Sequence, residues 1–182
     1  MTFYLTLGLA VLWLAIMLRA WQGVRWCARL PTPGSVPLVE PKPRVSVVIA
    51  ARDEAARLER TVRGLLAQKG LDLTLIVVDD RSTDATPEIL ARLAAEMPSL
   101  TAVRVDVLPP RWLGKCHACA RGAERAETSW EADSSASMPW LLFADGDVHM
   151  GPDLIRRAIA QAERDQADHL TLMPGLNCTG IL

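Results

Sequence analysis

Cysteine is scarce in this chain. Its 182 residues hold four, Cys27, Cys116, Cys119 and Cys178, too few and too scattered for a disulfide scaffold. They fit a reducing compartment. No charge of one sign is in excess: Lys plus Arg number 20, Asp plus Glu 21, and the formal net charge is -1. Nucleic-acid binding, which leaves a basic footprint, gains no support from that balance. Glycine-rich phosphate loops are missing, both G-x-G-x-x-G and the Walker type, which argues against dinucleotide dehydrogenases and P-loop enzymes. Repeats and low-complexity tracts are also missing. The length suits one domain plus an appendage.

Charge is absent altogether from Met1 to Leu18, a run made mostly of Leu, Ala, Val and Ile. At ~1.5 Å of rise per residue it reaches about 27 Å, near the lower limit for crossing a bilayer core. Its all-round hydrophobicity argues against a buried core helix. A secretory signal peptide starts with positive charge, whereas the first here is Arg19. Trp13, Trp21 and Trp26 suit an interfacial belt, and Arg19, Arg25 and Arg29 follow the run. The positive-inside rule then predicts a single N-terminal helix with the rest of the chain on the cytoplasmic side. Residues 1–29 are expected as a transmembrane anchor with its basic flank. Pro31, Pro33, Pro37, Pro41 and Pro43 mark 30–43 as a linker, because so much proline suits neither helix nor central strand. A soluble part spans 44–182.

That part alternates strand and helix signals. Val45–Ala50, Leu73–Val78, Thr101–Val107, Trp140–Ala144 and His169–Met173 read as strands. Between Glu54 and Gln68, Leu58, Val62, Leu65 and Leu66 share one helical face. Ser82, Thr83 and Asp84 offer caps to a helix carrying Ile89, Leu90 and Leu93. Lys115–Glu127 reads as a helix and Thr128–Met138 as a surface loop. Pro152 suits the first turn of a helix whose apolar face is Leu154, Ile155, Ala158, Ile159 and Ala162. The alternation predicts an α/β fold, a mostly parallel sheet covered on both faces. In such sheets ligands bind beyond the carboxyl ends of the strands.

Those ends carry the chemistry. The first strand runs into Ala51-Arg52-Asp53-Glu54, the second into Asp79-Asp80-Arg81-Ser82-Thr83-Asp84, and the strand from Trp140 into Asp145-Gly146-Asp147. Three strands thus bring carboxylates to one rim, where unpaired negative charge repels itself. A bound cation, or donor groups on a ligand, relieves that repulsion. Ordinary turn and cap chemistry accounts for Asp84 and Ser82. It accounts poorly for Asp145 and Asp147, which bracket a glycine directly after an apolar strand. Extended alternation puts Asp145, Asp147 and His149 on one side. Hard divalent ions take one or two carboxylates plus substrate phosphates, and Gly146 lets the backbone approach a ligand. Cys116-His117-Ala118-Cys119 has no second ligand pair at zinc spacing, and Ala120 stands where a haem site needs His. Two cysteines three apart on a helix are more often packing residues.

Val45-Ser-Val-Val-Ile-Ala-Ala-Arg-Asp-Glu54, Val77-Val-Asp-Asp-Arg-Ser-Thr-Asp84 and Phe143-Ala-Asp-Gly-Asp147, in that order and spacing, resemble the nucleotide-binding half of family 2 glycosyltransferases of the Rossmann-like GT-A fold. The likeness covers about Arg44 to Gly175. Trp112-Leu-Gly-Lys115, followed by Ala118 and Gly122, is similar to membrane-bound members acting on lipids, including the hopanoid-associated and ceramide-glucosylating groups. The resemblance implies a nucleotide-sugar donor, a UDP-sugar, and a lipid or membrane-proximal acceptor. It implies that Ala51, Arg52 and Glu54 frame base and ribose, and that Asp79 or Asp80 accepts a hydrogen bond from uracil. Asp145 would approach ribose and metal, and Asp147 would ligate Mn²⁺ or Mg²⁺ at the diphosphate. Asp53 departs from the family, which usually carries Asn there, and adds a charge. Lys115 is either a second cation for the leaving phosphate or a plain lysine at a helix start.

Inverting members of the family also need a general base, normally downstream in a Glu-Asp pair, with a Gln-x-x-Arg-Trp-like helix after it. No such segment occurs before Leu182. Two expectations follow: a fragment of a longer sugar-transferring enzyme, or a non-catalytic nucleotide-sugar-binding remnant.

Overall fold

The computed structural model describes residues 2–26, 30–131 and 139–172, with side chains of 2, 3, 5 and 22–26 outside that description. The chain divides into two units, Met1–Pro31 and Thr32–Leu182. The first is one helix, α1 (Thr2–Trp26). Its described apolar side chains, Leu7, Leu12, Trp13 and Ile16 among them, are exposed. Among the described residues, no helix is long and apolar enough to cross a membrane.

The second unit runs β1 (Arg44–Ala51), α2 (Leu58–Leu66), β2 (Asp72–Asp80), α3 (Thr86–Glu96), β3 (Leu100–Val105), α4 (Gly114–Glu131), β4 (Trp140–Asp145) and α5 (Leu154–Asp165). The sheet order is β3-β2-β1-β4, and every pairing is parallel. The expected mostly parallel α/β sheet with flanking helices is therefore present. Each β-α-β passage returns the chain to the same end of the sheet, so all the strands point their carboxyl ends to one rim.

Alternation along β1 and β2 feeds two cores, one on each face. Val47, Ile49, Leu75 and Val77 pack with Leu58, Val62, Leu90, Leu93 and Ile155. Val48, Ile76 and Val78 pack on the other face with Ala118 and Ala126 of α4. Near-continuous apolar runs in β1 and β2 are what a strand covered on both faces requires. On the α4 face the contact is close. A Cβ added at Gly122 would overlap the Val48 Cγ1 methyl and lie 3.2 Å from Val78 Cγ2. Gly122→Ala gains up to about 1 kcal/mol of helix propensity but overpacks a site whose walls cannot retreat, at about 1–3 kcal/mol. The expected result is a net loss of about 1–2 kcal/mol, read as a lower urea midpoint with unchanged slope. A variant as stable as the parent would show that α4 slides freely over the sheet.

Several boundaries differ from expectation. α2 starts at Leu58 rather than Glu54, and the residues before it are tied to the neighbouring loop: the Glu54 and Ala55 amides donate to Thr86 Oγ1 (2.9 Å) and Asp84 Oδ2 (3.1 Å). α4 continues through Thr128–Glu131, expected as loop. Thr128 Oγ1 donates to the Glu124 carbonyl (2.9 Å), Ser129 Oγ to the Ala126 carbonyl (2.6 Å), and Trp130 Nε1 to Ser46 Oγ (2.9 Å) on β1. These bonds keep a polar stretch helical. The rest of that expected loop, 132–138, lies outside the described residues. α5 starts at Leu154, so Pro152 precedes the helix instead of opening it. The strand expected at His169–Met173 is not present over 169–172. Nothing among the described residues pairs with it, and His169 Nε2 bonds locally with Thr171 Oγ1 at 3.1 Å. Met173 lies outside the described residues.

Within the expected linker, residues 34–36 are held on α5. The Gly34 amide donates to Asp153 Oδ2 at 2.7 Å, and the Arg156 guanidinium donates to the Val36 carbonyl. Gly34 has φ +76°, a left-handed turn that glycine adopts without steric cost.

Candidate functional site

The parallel register sets the rim. Ala50 lies opposite Asp145, and Ala51 opposite Asp79. A cleft of about 490 Å³ opens there, lined by Ala50, Ala51, Arg52, Glu54, Asp80, Gly114, Lys115, Asp145, Gly146 and Asp147. Of the residues singled out in the sequence, Ala51, Arg52, Glu54, Asp80, Lys115, Asp145 and Asp147 line this one cleft. Asp79 does not.

Neighbouring residues in sequence, Asp79 and Asp80 have different surroundings. Asp79 is 2% exposed; its Oδ1 accepts the Ser82 amide at 3.0 Å and its Oδ2 accepts Arg104. It is a strut between the β2–α3 turn and β3. Asp80 lines the cleft, and Arg81 clasps it with Nε on Oδ1 at 2.8 Å and Nη2 on Oδ2 at 3.2 Å. That hydrogen-bonded guanidinium holds the Asp80 carboxyl below its ordinary range, against the upward push of burial. Gly114 sits against Asp80: a Cβ there would overlap Asp80 Oδ2 and lie 3.0 Å from Arg81 Nη2. The sequence places this glycine in the Trp112-Leu-Gly-Lys115 stretch but gives no sign of its contact with Asp80, because that contact joins β2 to the start of α4.

The two loops at the rim are stitched together. Asp53 has φ +53° and accepts the Thr83 amide (2.8 Å) and hydroxyl (3.2 Å) on Oδ1, while its own amide donates to Ser82 Oγ at 3.0 Å. Asn and Asp tolerate this left-handed backbone and both present the oxygen, so the Asp53 departure keeps the bond. The N-cap of α3 is Ala85 rather than Ser82, Thr83 or Asp84; Asp84, one residue earlier, accepts the Thr86 amide on Oδ1 (3.0 Å) and the Ala55 amide across the loops on Oδ2. Ser82 and Asp84 thus shape the cleft wall from behind. The sequence carries only their cap signal, since a crossing between loops has no fixed spacing.

At the β4 edge the charges meet. Lys115 Nζ pairs with Asp145 Oδ1, and this bond raises the lysine above its ordinary value. Both side chains are more than half exposed, so water screens the pair and it adds little to stability. Asp147 is exposed and makes no hydrogen bond among the described residues. β4 ends at Asp145 and a turn follows, with the Val148 amide 3.3 Å from the Asp145 carbonyl. Strand alternation therefore does not carry His149 to the side of Asp145, as the sequence suggested. His149 lines a separate hollow with Arg57, Arg60, Thr61 and Asp147. Thr61 Oγ1 donates to the Gly146 carbonyl at 2.7 Å and pins the glycine turn onto α2.

Among the described residues, no three His, Cys, Asp or Glu side chains converge on a metal position. Two carboxylates across Gly146, facing an open cleft, are a donor set that a hard divalent ion completes with phosphate oxygens and water. Asp145 and Asp147 fit such an ion in that partial sense. Cys116 is exposed and Cys119 partly buried on α4, both with free thiols; burial pushes the Cys119 thiol up.

Comparison with known proteins gives a consistent neighbourhood. The family described as Glycosyl transferase family 2 matches residues 46–173. The succinoglycan biosynthesis protein ExoO of Rhizobium meliloti (strain 1021) is 31% identical over 127 residues, 70% of this chain and 32% of that protein. The 4,4'-diaponeurosporenoate glycosyltransferase of Staphylococcus haemolyticus (strain JCSC1435) is 32% identical over 118 residues, 65% of this chain and 28% of that protein. This chain therefore spans about a third of the length of these relatives. Among solved structures, S. aureus TarS aligns with a TM-score of 0.56 at 19% identity, covering 76% of this chain and 23% of TarS. The mannosyltransferase PcManGT of Pyrobaculum calidifontis, solved with GDP-Man and Mn²⁺, aligns at 0.53 and 24% identity, covering 80% of this chain and 39% of that one. At these identities the likeness is one of fold.

Proposed function

The chain belongs to glycosyl transferase family 2, and from that premise we propose that it serves sugar transfer from a nucleoside-diphosphate sugar, a UDP-sugar, to a lipid or membrane-proximal acceptor. The observation that carries this reading is the single cleft lined by Asp80, Lys115, Asp145 and Asp147 at the strand ends. The fold neighbours support a nucleotide-sugar donor: TarS was solved with UDP-GlcNAc and PcManGT with GDP-Man. The lipid acceptor is supported by the name of the diaponeurosporenoate relatives.

Ala51, Arg52 and Glu54 form the wall for base and ribose, and Asp80, ionised by Arg81, accepts an N–H of the base. Asp145 and Asp147 would hold Mn²⁺ or Mg²⁺ at the diphosphate. Such an ion acts as a Lewis acid on the leaving phosphate. Lys115, cationic and beside Asp145, supplies a second positive charge to the same oxygens. Calorimetry with UDP in Mn²⁺ and then in excess chelator tests the reading, with GDP as a parallel arm. Binding of UDP should weaken at least about tenfold on chelation. Equal affinity in both conditions would contradict a metal-bridged diphosphate, and preference for GDP would reassign the base.

The anchor belongs to the same proposal. The run Met1–Leu18, part of whose side chains lie outside the described residues, supports a membrane-held chain with residues 44–182 on the cytoplasmic side. Fractionation should find the full chain in membranes, and deletion of the residues before Pro31 should release it. Protease access to the C-terminal unit from outside intact cells would reject the orientation.

A further inference from the structure

Beside the donor cleft lies a second hollow of about 380 Å³, lined by Arg57, Arg60, Thr61, Asp147 and His149. Two arginines line it together. Arg63, one turn further along α2, is absorbed in a network with Glu59 (2.8 Å) and Glu96 (3.0 Å), which Arg92 closes from α3. Arg81, Arg104 and Arg121 are likewise paired with carboxylates. Among the described residues, the Arg57 and Arg60 guanidinium groups take part in no ion pair and no hydrogen bond, although both stand over this hollow. His149 also lines the hollow.

The hollow is also built in advance. Thr61 is 4% exposed, and its bond to the Gly146 carbonyl joins the wall carrying the arginines to the turn carrying Asp147. Asp147 lines both cavities, so the two meet at that carboxylate. A group held by the arginines would thus adjoin whatever the donor cleft holds at Asp147.

We propose that this hollow is an oxyanion subsite, binding a phosphate monoester or carboxylate head group of the acceptor through Arg57 and Arg60. A planar guanidinium presents paired N–H groups that match the oxygens of either anion, and two of them lining one hollow favour an anion over a neutral hydroxyl. The one carboxylate on its wall, Asp147, does not cancel two arginines. The word acceptor rests on the donor reading of the neighbouring cleft; the anion site itself does not.

The test uses the full chain in a non-ionic detergent, saturated with UDP and Mg²⁺ so that the donor cleft is filled. Inorganic phosphate and, separately, acetate are titrated while the arginine Nε–H NMR signals are followed. The Arg57 and Arg60 signals should shift, and Arg57→Gln or Arg60→Gln should each weaken the anion by about tenfold. UDP affinity should stay unchanged in both variants, which alter exposed side chains and leave the core alone. A response to phosphate but not acetate identifies a phosphorylated head group, and the reverse a carboxylate. Unmoved arginine signals with both anions would overturn the proposal, as would loss of UDP binding together with the anion. If the arginines bind the anion while UDP fails to bind at all, the hollow stands and the donor reading falls.

Discussion

Asp147→Ala should lower the affinity for UDP in Mn²⁺ by about 100-fold, and the binding that remains should no longer respond to chelator. The expectation follows from how the rim carboxylates are spent. Asp79 is committed to Ser82 and Arg104, Asp80 to Arg81, and Asp53 to Thr83. Asp145 already shares an oxygen with Lys115. Of the cleft carboxylates, Glu54 and Asp147 make no side-chain hydrogen bond among the described residues, and Asp147 is the one set beside Asp145 across Gly146, so a divalent ion there displaces nothing from it. Asp145→Asn should cost less, because the amide still offers an oxygen and Lys115 is set free to meet phosphate. Calorimetry of the two variants separates them. An Asp147→Ala protein with the metal response of the parent would show that another group holds the ion.

Asp79→Ala and Asp80→Ala should fail in different ways. The first should lose about 2–4 kcal/mol of stability, because the Ser82 amide is left unpaired at a buried position. Arg104 contributes less to that loss, since nearly half of its side chain is exposed and water can receive it. Asp79→Asn keeps an acceptor for Ser82 and should recover much of the difference. Asp80→Ala should instead stay folded and bind UDP about tenfold more weakly, having lost its acceptor for the base. The Asp80 carboxyl is held low by Arg81, so the stability it lends is present above the ordinary carboxylate range. It is lost only as pH falls through its depressed value, and Asp80→Ala should flatten the acid end of the stability profile. Urea unfolding beside UDP titration checks both. If Asp79→Ala unfolds at the parent midpoint while losing UDP, the two aspartates have been assigned the wrong way round.

Much of the fold was legible because its signals are local. β-branched runs at 45–50 and 73–78, helical periodicity at Leu58, Val62 and Leu65, and the order of the elements are read within windows of a few residues. The misreadings came where a distant partner decides. Thr128–Glu131 looks like loop until Trp130 finds Ser46, 84 positions away in sequence. His169–Leu172 looks like strand but has no neighbour to pair with among the described residues. His149 looked aligned with Asp145 because alternation was extended past the residue where the strand stops.

For the site, residue types and their placement at strand ends were determined by the sequence alone: Asp79, Asp80, Asp145 and Asp147 each follow an apolar run, and parallel strands put such residues on one rim. Which of them face the cleft was decided only by tertiary structure. Asp79 and Asp80 are adjacent, chemically identical and both buried, yet Arg104 on β3 takes one away from the cleft while Arg81 holds the other on its wall. Gly114 owes its place to Asp80, and Gly122 to Val48, through contacts between elements far apart in the chain. Local pattern specifies where a strand stops and what it carries there. The direction each carboxylate takes depends on the nearest donor in space, and that donor comes from whichever element the fold sets beside it.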